Sequence, residues 1–273
     1  MKKHKNEDHQ DLEDTPHLQD TSSPKKSSRV DLKSNRSELK GVAGIIESLL
    51  RSFKGLAFIL SMAPITIVCI TSLGLAITPA YLLVSSVYQF SHDFNLLGHS
   101  FLMSMAIGMG YFLYGVSIIF VVPMFNKILF LKLEPWRGNW YSLKSLPWYY
   151  HNALVQLVRY TFLDLVTPTP LNVLFYKMMG MKVGKGVMIN TSNISDPCLI
   201  TLEDNVTIGG SATLFAHYAQ GGFLVIAPVV IKKGATVGLK ASIMGDVIVG
   251  EKVTVKPHSI LLPKTRLNKG DPQ

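Results

Sequence analysis

Residues 231–266 read IKKGAT-VGLKAS-IMGDVI-VGEKVT-VKPHSI-LLPKTR, six successive hexads, each opened by an aliphatic residue. Ile231, Val237, Ile243, Val249, Val255 and Leu261 hold the opening place, and Ala235, Ala241, Val247, Val253, Ser259 and Thr265 the fifth. A short fixed period with turn residues between its apolar positions marks a parallel β-helix. Each hexad then forms one flat face of a triangular coil, and three hexads, eighteen residues, close a turn. A lone coil leaves its aliphatic layer half wet. Stacking buries that layer and pairs each backbone group with the coil above or below. The small residue at the fifth place lets the chain bend at a corner without crowding the core. The same phase returns upstream in Leu202–Thr207 and Ile208–Thr213, with an earlier start at Val183–Met188. It slips between Ile189 and Leu202, and again between Leu214 and Ile231.

The chain as a whole is too apolar for an ordinary soluble domain. Of its 273 residues 48% are hydrophobic, and the mean hydropathy is +0.27. The excess is local. Gly55–Ser91 and Phe94–Asn126 contain no charged residue, and each exceeds the roughly 20 residues a bilayer-spanning helix needs. These stretches predict a helical hairpin, with spans near 57–79 and 100–122 and with Pro64 and Pro79 kinking or ending the first. Two buried helices of a soluble bundle would need amphipathic partners that the chain does not supply. Arg51 and Lys54 precede the first span and Lys127, Lys132 and Arg137 follow the second, while the connecting loop carries no basic residue. The positive-inside rule then puts both ends in the cytoplasm. The apolar run begins too far from Met1, and without a small-residue cleavage site, to be a removable signal peptide.

The net charge of +9 comes with no basic helix or aromatic-interleaved patch, so no nucleic-acid partner is expected. Much of that charge falls between Lys127 and Lys182, where anionic lipid headgroups would meet it. Cys69 and Cys198 offer neither a disulfide framework nor metal spacing. Four segments follow. Residues 1–40 are a polar tail expected to be disordered, and 41–135 hold the membrane hairpin. Residues 136–180 are an aromatic, amphipathic interfacial segment, and 181–273 the solenoid. Trp136, Trp140 and Trp148, with Tyr141, Tyr149 and Tyr150, suit the headgroup layer. From Trp148 to Val166 the spacing of Leu154, Val158, Phe162 and Leu165 predicts an amphipathic helix, interrupted by Arg159 and Asp164, lying on the membrane surface. Thr167-Pro168-Thr169-Pro170 ends it, and a short helix around Leu171–Met179 leads into the first coil.

Chemistry is expected where the solenoid is interrupted. The second slip implies an outgoing loop from Phe215 to Pro228, with His217 at its base and Gly221-Gly222 in its middle. Loops leaving a rigid scaffold are where binding and catalytic groups are commonly placed. A histidine entering the long excursion of a hexapeptide solenoid resembles the general base of the hexapeptide-repeat acyltransferases, which fold as left-handed β-helices. That resemblance implies an all-β left-handed parallel β-helix following the two-span hairpin. It also implies that His217 takes a proton from an acceptor hydroxyl or amine, which then attacks an acyl-CoA thioester. Histidine suits the task because an ordinary imidazole is largely neutral near working pH. A backbone amide of an adjacent coil or subunit would hold the developing oxyanion.

A nearer resemblance covers Arg137–Lys264, through WRGNWYSL, TPLNVLFYKMMGMKVG, ISDPCLITLEDNV, AHYA and APVVI. These runs are similar to the membrane-bound C-terminal region of poly-lysine-synthetase-type nonribosomal peptide synthetases. Their members place a histidine about eleven residues before the proline that re-enters the solenoid, and His217 and Pro228 match. The chain lacks their adenylation and carrier domains, so the resemblance implies acyl transfer or acceptor binding rather than polymerisation. By the acyltransferase resemblance, Gly238 and Ala241 line the wall along which pantetheine is threaded. Lys240, Lys256 and Lys264 meet the phosphates of acetyl-CoA or another acyl-CoA, and Asn190 and Asp196 contact the acceptor. A zinc site like that of the γ-type carbonic anhydrases needs three histidines. The solenoid offers only His217 and His258, without ligand spacing, so no metal is expected. The reading is a membrane-anchored, cytoplasm-facing acyltransferase of a bacterial inner membrane. It is a homotrimer by resemblance, acting on a small or lipid-linked acceptor. The rival is a non-catalytic platform that docks a partner enzyme at the membrane.

Overall fold

The computed structural model describes Ser37 and residues 40–129, 132–140 and 142–271. Nearly all of the expected polar tail, together with Tyr141, lies outside the described residues.

Two long helices form the hairpin, α2 (Lys54–Ser91) and α3 (Leu96–Ile128), preceded by a short α1 (Gly41–Ser52). Both are long and apolar enough to cross a membrane. Pro64 and Pro79 lie inside α2 and do not end it. The tight connection is built by local bonds. Asn95 caps α3 by accepting from the Gly98 amide at 2.8 Å, and the Ser91 hydroxyl meets His99 Nδ1 at 2.9 Å. At 38 residues, α2 extends about 57 Å, far beyond the roughly 30 Å of a hydrocarbon core. The hairpin is also packed on protein. In the later half of α3, Tyr114, Ile118, Ile119 and Val122 join the main hydrophobic core.

Helix α4 (Leu146–Val158), its π-helical continuation Arg159–Leu163, and α5 (Pro170–Met178) fill the space between hairpin and solenoid. The amphipathic pattern is as expected, but its apolar stripe turns inward. Leu154, Val158 and Phe162 are buried, and of the expected stripe only Leu165 stays exposed. A β-helix ends in an open aliphatic layer that water would reach unless something covers it; α4 and α5 are that cover. The ring of Phe162 occupies the space a side chain at Gly115 of α3 would need. Arg159 and Asp164, which interrupt the stripe, bond to Asn193 and Ser192 of the first coil. Tyr176 donates to the Ser192 carbonyl at 3.0 Å, and Asn172 to the Ile189 carbonyl at 2.8 Å.

The solenoid is a left-handed parallel β-helix with three faces. The first stacks Lys182–Val183, Ile200–Leu202, Val229–Ile231, Val247–Val249 and Arg266–Leu267. The second stacks Met188–Ile189, Thr207–Ile208, Thr236–Val237 and Thr254–Val255. The third stacks Ile194–Ser195, Thr213–Phe215, Ser242–Ile243 and Ile260–Leu261. In the regular part Val229 pairs with Val247, Thr236 with Thr254 and Ser242 with Ile260, each eighteen residues on. The opening aliphatics Ile231, Val237, Ile243, Val249 and Val255 are fully buried. The bend, however, is made one place before the small residue. Lys240, Asp246, Lys252, His258 and Lys264, all at the fourth place, have φ between 53° and 71°, and Gly234 takes 69° at the same place. The fifth residue then points inward, which is why Ala235 and Ala241 are buried and small.

Candidate active site

Both slips add residues at one corner of the triangle, where the third face gives way to the first face of the next coil. In the first coil this corner holds Asp196 with φ 55°, a conformation that Asp tolerates better than most residues. Pro197 then starts a single 3-10 turn to Leu199. In the second coil the corner is replaced by a β-hairpin, His217–Gln220 and Phe223–Ile226. The expected loop is therefore ordered sheet. Gly221 and Gly222 make its tip at φ 60° and 84°, the double positive φ that a two-residue hairpin turn demands. The strand Trp136–Asn139 adds antiparallel to Phe223–Ile226 and completes a three-stranded sheet. The Arg137 guanidinium lies over the Phe223 ring at 3.9 Å.

His217 enters this hairpin from directly above Asp196. Its Nδ1 is 2.5 Å from Asp196 Oδ2, while Asp196 Oδ1 accepts from Asn152 Nδ2 of α4 at 2.6 Å. Asp196 is wholly buried, whereas His217 keeps 23% of its side chain exposed. A buried carboxylate with two donors accepts from both, so Nδ1 carries the proton and Nε2 is left as the basic nitrogen. Trp148 meets the imidazole edge-on with centroids 5.0 Å apart, and Phe215 lies 5.5 Å away. The Trp148 Nε1–H is buried without a hydrogen-bond partner, a donor left over beside the imidazole. Gly245 of the next coil sits under the hairpin base. A Cβ there would stand 3.0 Å from the Ala216 carbonyl carbon and from the His217 nitrogen.

The wall behind Asp196 is neutral. His151 is buried, with Nδ1 3.0 Å from Asn126 Oδ1 of α3. Burial lowers its pKa to about 4, opposed by the charge of Asp196. The thiol of Cys198 is pushed up to about 12, first by burial and then by Asp196. Neither group carries charge near neutral pH. The carboxylate therefore has one titratable partner that reaches the surface, His217.

Asp196 thus takes a role other than the acceptor contact expected of it, because no substrate can touch a carboxylate with no exposed surface. Asn190 is separated from it, at the preceding corner, where its side chain lies 3.6 Å from the Cβ position of Gly210. Gly238, Lys240, Ala241 and Lys256 stack along that preceding corner too. A Cβ on Gly238 would stand 2.6 Å from the Pro257 nitrogen, so this glycine keeps two coils in contact. Ala241 is buried in the core and does not line a wall. Lys264 is the one predicted lysine at the corner of His217. Its amide donates to the Asp246 carbonyl at 2.8 Å, two coils along from the hairpin. His258 sits at the preceding corner, away from His217. The sequence reading missed Trp148 and Asn152, placing the first at the headgroups. Trp148 instead packs with Trp140, Leu224 and Ile226 beneath the hairpin. Their spacing of four residues, one face of a helix, is the signal that could have linked them.

No family model matches the chain. It is 22% identical over 203 residues to the delta-poly-L-ornithine synthetase of Acinetobacter baumannii, a match covering 72% of this chain and 14% of that protein. Among solved structures it is similar to the serine acetyltransferase of Brucella abortus in complex with coenzyme A, at a TM-score of 0.32 and 15% identity, over 69% of this chain and 62% of that one. The serine acetyltransferase of Neisseria gonorrhoeae gives 0.28 and 16%, over 71% and 74%. The chain therefore spans about one seventh of the length of its curated relative, a synthetase of the poly-amino-acid kind that the motifs of residues 137–264 resemble.

Proposed function

We propose that this protein is a membrane-anchored acyltransferase that moves an acyl group, most simply acetyl, from acyl-CoA to a hydroxyl or amine. The observation that carries the reading is the chain Asn152–Asp196–His217, which ends on an imidazole at the corner where the stack opens into a hairpin. His217 Nε2 takes the proton of the acceptor as it attacks the thioester carbonyl. The imidazolium so formed faces the buried Asp196 carboxylate, which also fixes the ring and its tautomer. On collapse the imidazolium gives its proton to the leaving thiolate, releasing CoA thiol and the acylated acceptor. A non-catalytic platform would have no use for a carboxylate stripped of water, which costs several kcal/mol unless it is well bonded.

Acyl-CoA would lie along the stack toward Lys264. In a homotrimer, the corner bearing Asn190, Gly238, Lys240, Ala241 and Lys256 would reach the site from a neighbouring copy. The hairpin holds the site at the cytoplasmic surface of a bacterial inner membrane, and that anchoring favours an acceptor presented there, such as a lipid-linked precursor. The test is acyl turnover by the full chain in vesicles, supplied with acetyl-CoA and a membrane extract. His217→Ala should lower turnover by about 10³- to 10⁴-fold while the protein stays folded and CoA still binds. Equal turnover by variant and wild type defeats catalysis and leaves the platform.

A further inference from the structure

Helix α1 is amphipathic in the wrong sense for a helix in water. Val42, Ile45, Leu49 and Phe53 are 60–73% exposed and Ile46 is 46% exposed. At about 100° per residue these positions fall in one arc about 100° wide. On the opposite side Gly44 and Glu47 are buried. The Glu47 carboxylate is 1% exposed and accepts from the Ser142 hydroxyl and the Leu143 amide, both at 3.2 Å. The polar face is thus pinned to protein while the apolar face is presented outward. Further along, α2 also presents apolar residues outward, with Ile59, Leu60, Ile67 and Ile70 56–63% exposed.

We propose that α1 lies in the lipid headgroup–acyl boundary with Val42, Ile45, Leu49 and Phe53 in the hydrocarbon, as a third membrane contact beside the hairpin. The occupant of this face is the bilayer itself, since α1 ends at Ser52 and the helix that is long and apolar enough to span begins at Lys54, with only Phe53 between them. Amphipathic helices lie in the interface by burying such a face. The exposed Lys40 at the start of α1 adds attraction to anionic headgroups. The contact reaches the site through a short path. Glu47 holds Ser142 and Leu143; Ser145, two residues on, donates to the Trp140 carbonyl at 2.8 Å; and α4 begins at Leu146 with Trp148 and Asn152 in its first two turns. Lipid binding by α1 therefore helps to seat the helix that holds Asp196. This inference rests on the membrane reading of the hairpin but not on acyl transfer.

The test uses the full chain with Cys69 and Cys198 replaced, reconstituted in vesicles of phosphatidylcholine and phosphatidylglycerol. Single cysteines replace Ile45, Leu49, Ile77 of α2 or the exposed Glu134, and carry a nitroxide. Labels at 45 and 49 should collide with oxygen several-fold more than with a water-soluble nickel chelate, as at 77 and unlike 134. Nickel access at 45 and 49 equal to that at 134, with 77 in lipid, overturns the α1 proposal and leaves the hairpin as anchor. Dipolar coupling between labels on separate copies makes the face a protein contact and overturns it too. Nickel access at 77 overturns the membrane reading itself.

Discussion

The last coils and the first two are built on one pattern and put to different uses. Beyond Val229 the faces repeat every eighteen residues and nothing leaves the stack. Before it the steps lengthen. Lys182 pairs with Thr201 nineteen residues on, Ile194 with Leu214 twenty on, and Ile200 with Val229 twenty-nine on. Each member of the Asn152–Asp196–His217 chain lies where the step is irregular or in a helix packed against it. A regular hexad spends its side chains on the core and its fourth residue on the bend. A corner with extra residues is free to turn a side chain toward another, and both Asp196 and His217 come from such corners. Regularity makes the shelf, and the errors in it make the site.

That contrast can be broken most sharply at Asp196. Asp196→Asn keeps the shape but lets the wrong imidazole tautomer form, and acyl turnover should fall by about 10³-fold. Thermal unfolding should shift far less than turnover. A loss no larger than that of Glu203→Gln, at a regular corner where that carboxylate accepts from the Lys233 amide, would remove the distinction. Next in size is a pH effect confined to the irregular half. His151 has a folded pKa of about 4, below the ordinary 6.5. The unfolded chain therefore binds the extra proton first, and stability falls as pH drops from about 6.5 to about 4, by up to about 3 kcal/mol. Denaturant midpoints measured through this window in detergent should show the loss, and His151→Gln should flatten it. The smallest test compares two glycines. Gly245→Ala crowds the base of the hairpin and should lower turnover by about 10²-fold through misplacement of His217, with the stack intact. Gly250→Ala meets the Leu267 carbonyl oxygen of the next coil at 3.0 Å instead, and should cost a few kcal/mol of stability with no selective effect on turnover per folded molecule.

The same contrast explains what could be read in the sequence. The solenoid was legible because its period is local: Ile231 and Val237 declare their face without reference to anything distant. The hairpin was legible from uncharged runs alone. His217 was legible as a break in phase. Its partner was noticed and given the wrong task, because Asp196 meets His217 across 21 residues, a contact fixed by coil stacking and not by spacing. Asn152 reaches Asp196 across 44 residues from a helix whose pattern says only that one face is apolar. Periodicity does not say what that face will meet. For α4 it packs into the core shared by α3 and the first coils, whereas the membrane surface had been expected. For α1 the polar residue Glu47 faces protein, an inversion invisible until Ser142 and Leu143 are placed beside it.

The seat of Phe162 on Gly115 has a consequence for how such a protein can be taken apart. Here the tether doubles as a wall of the fold, since the later half of α3 closes the same core that the first coils open. Cutting the hairpin away to free a soluble enzyme would strip Phe162 and Val158 of their cover and leave Asn126 missing behind His151. Grafting the solenoid onto a foreign anchor would do the same damage. The natural unit for exchange begins at α1, and the coiled stack cannot be lifted out of it.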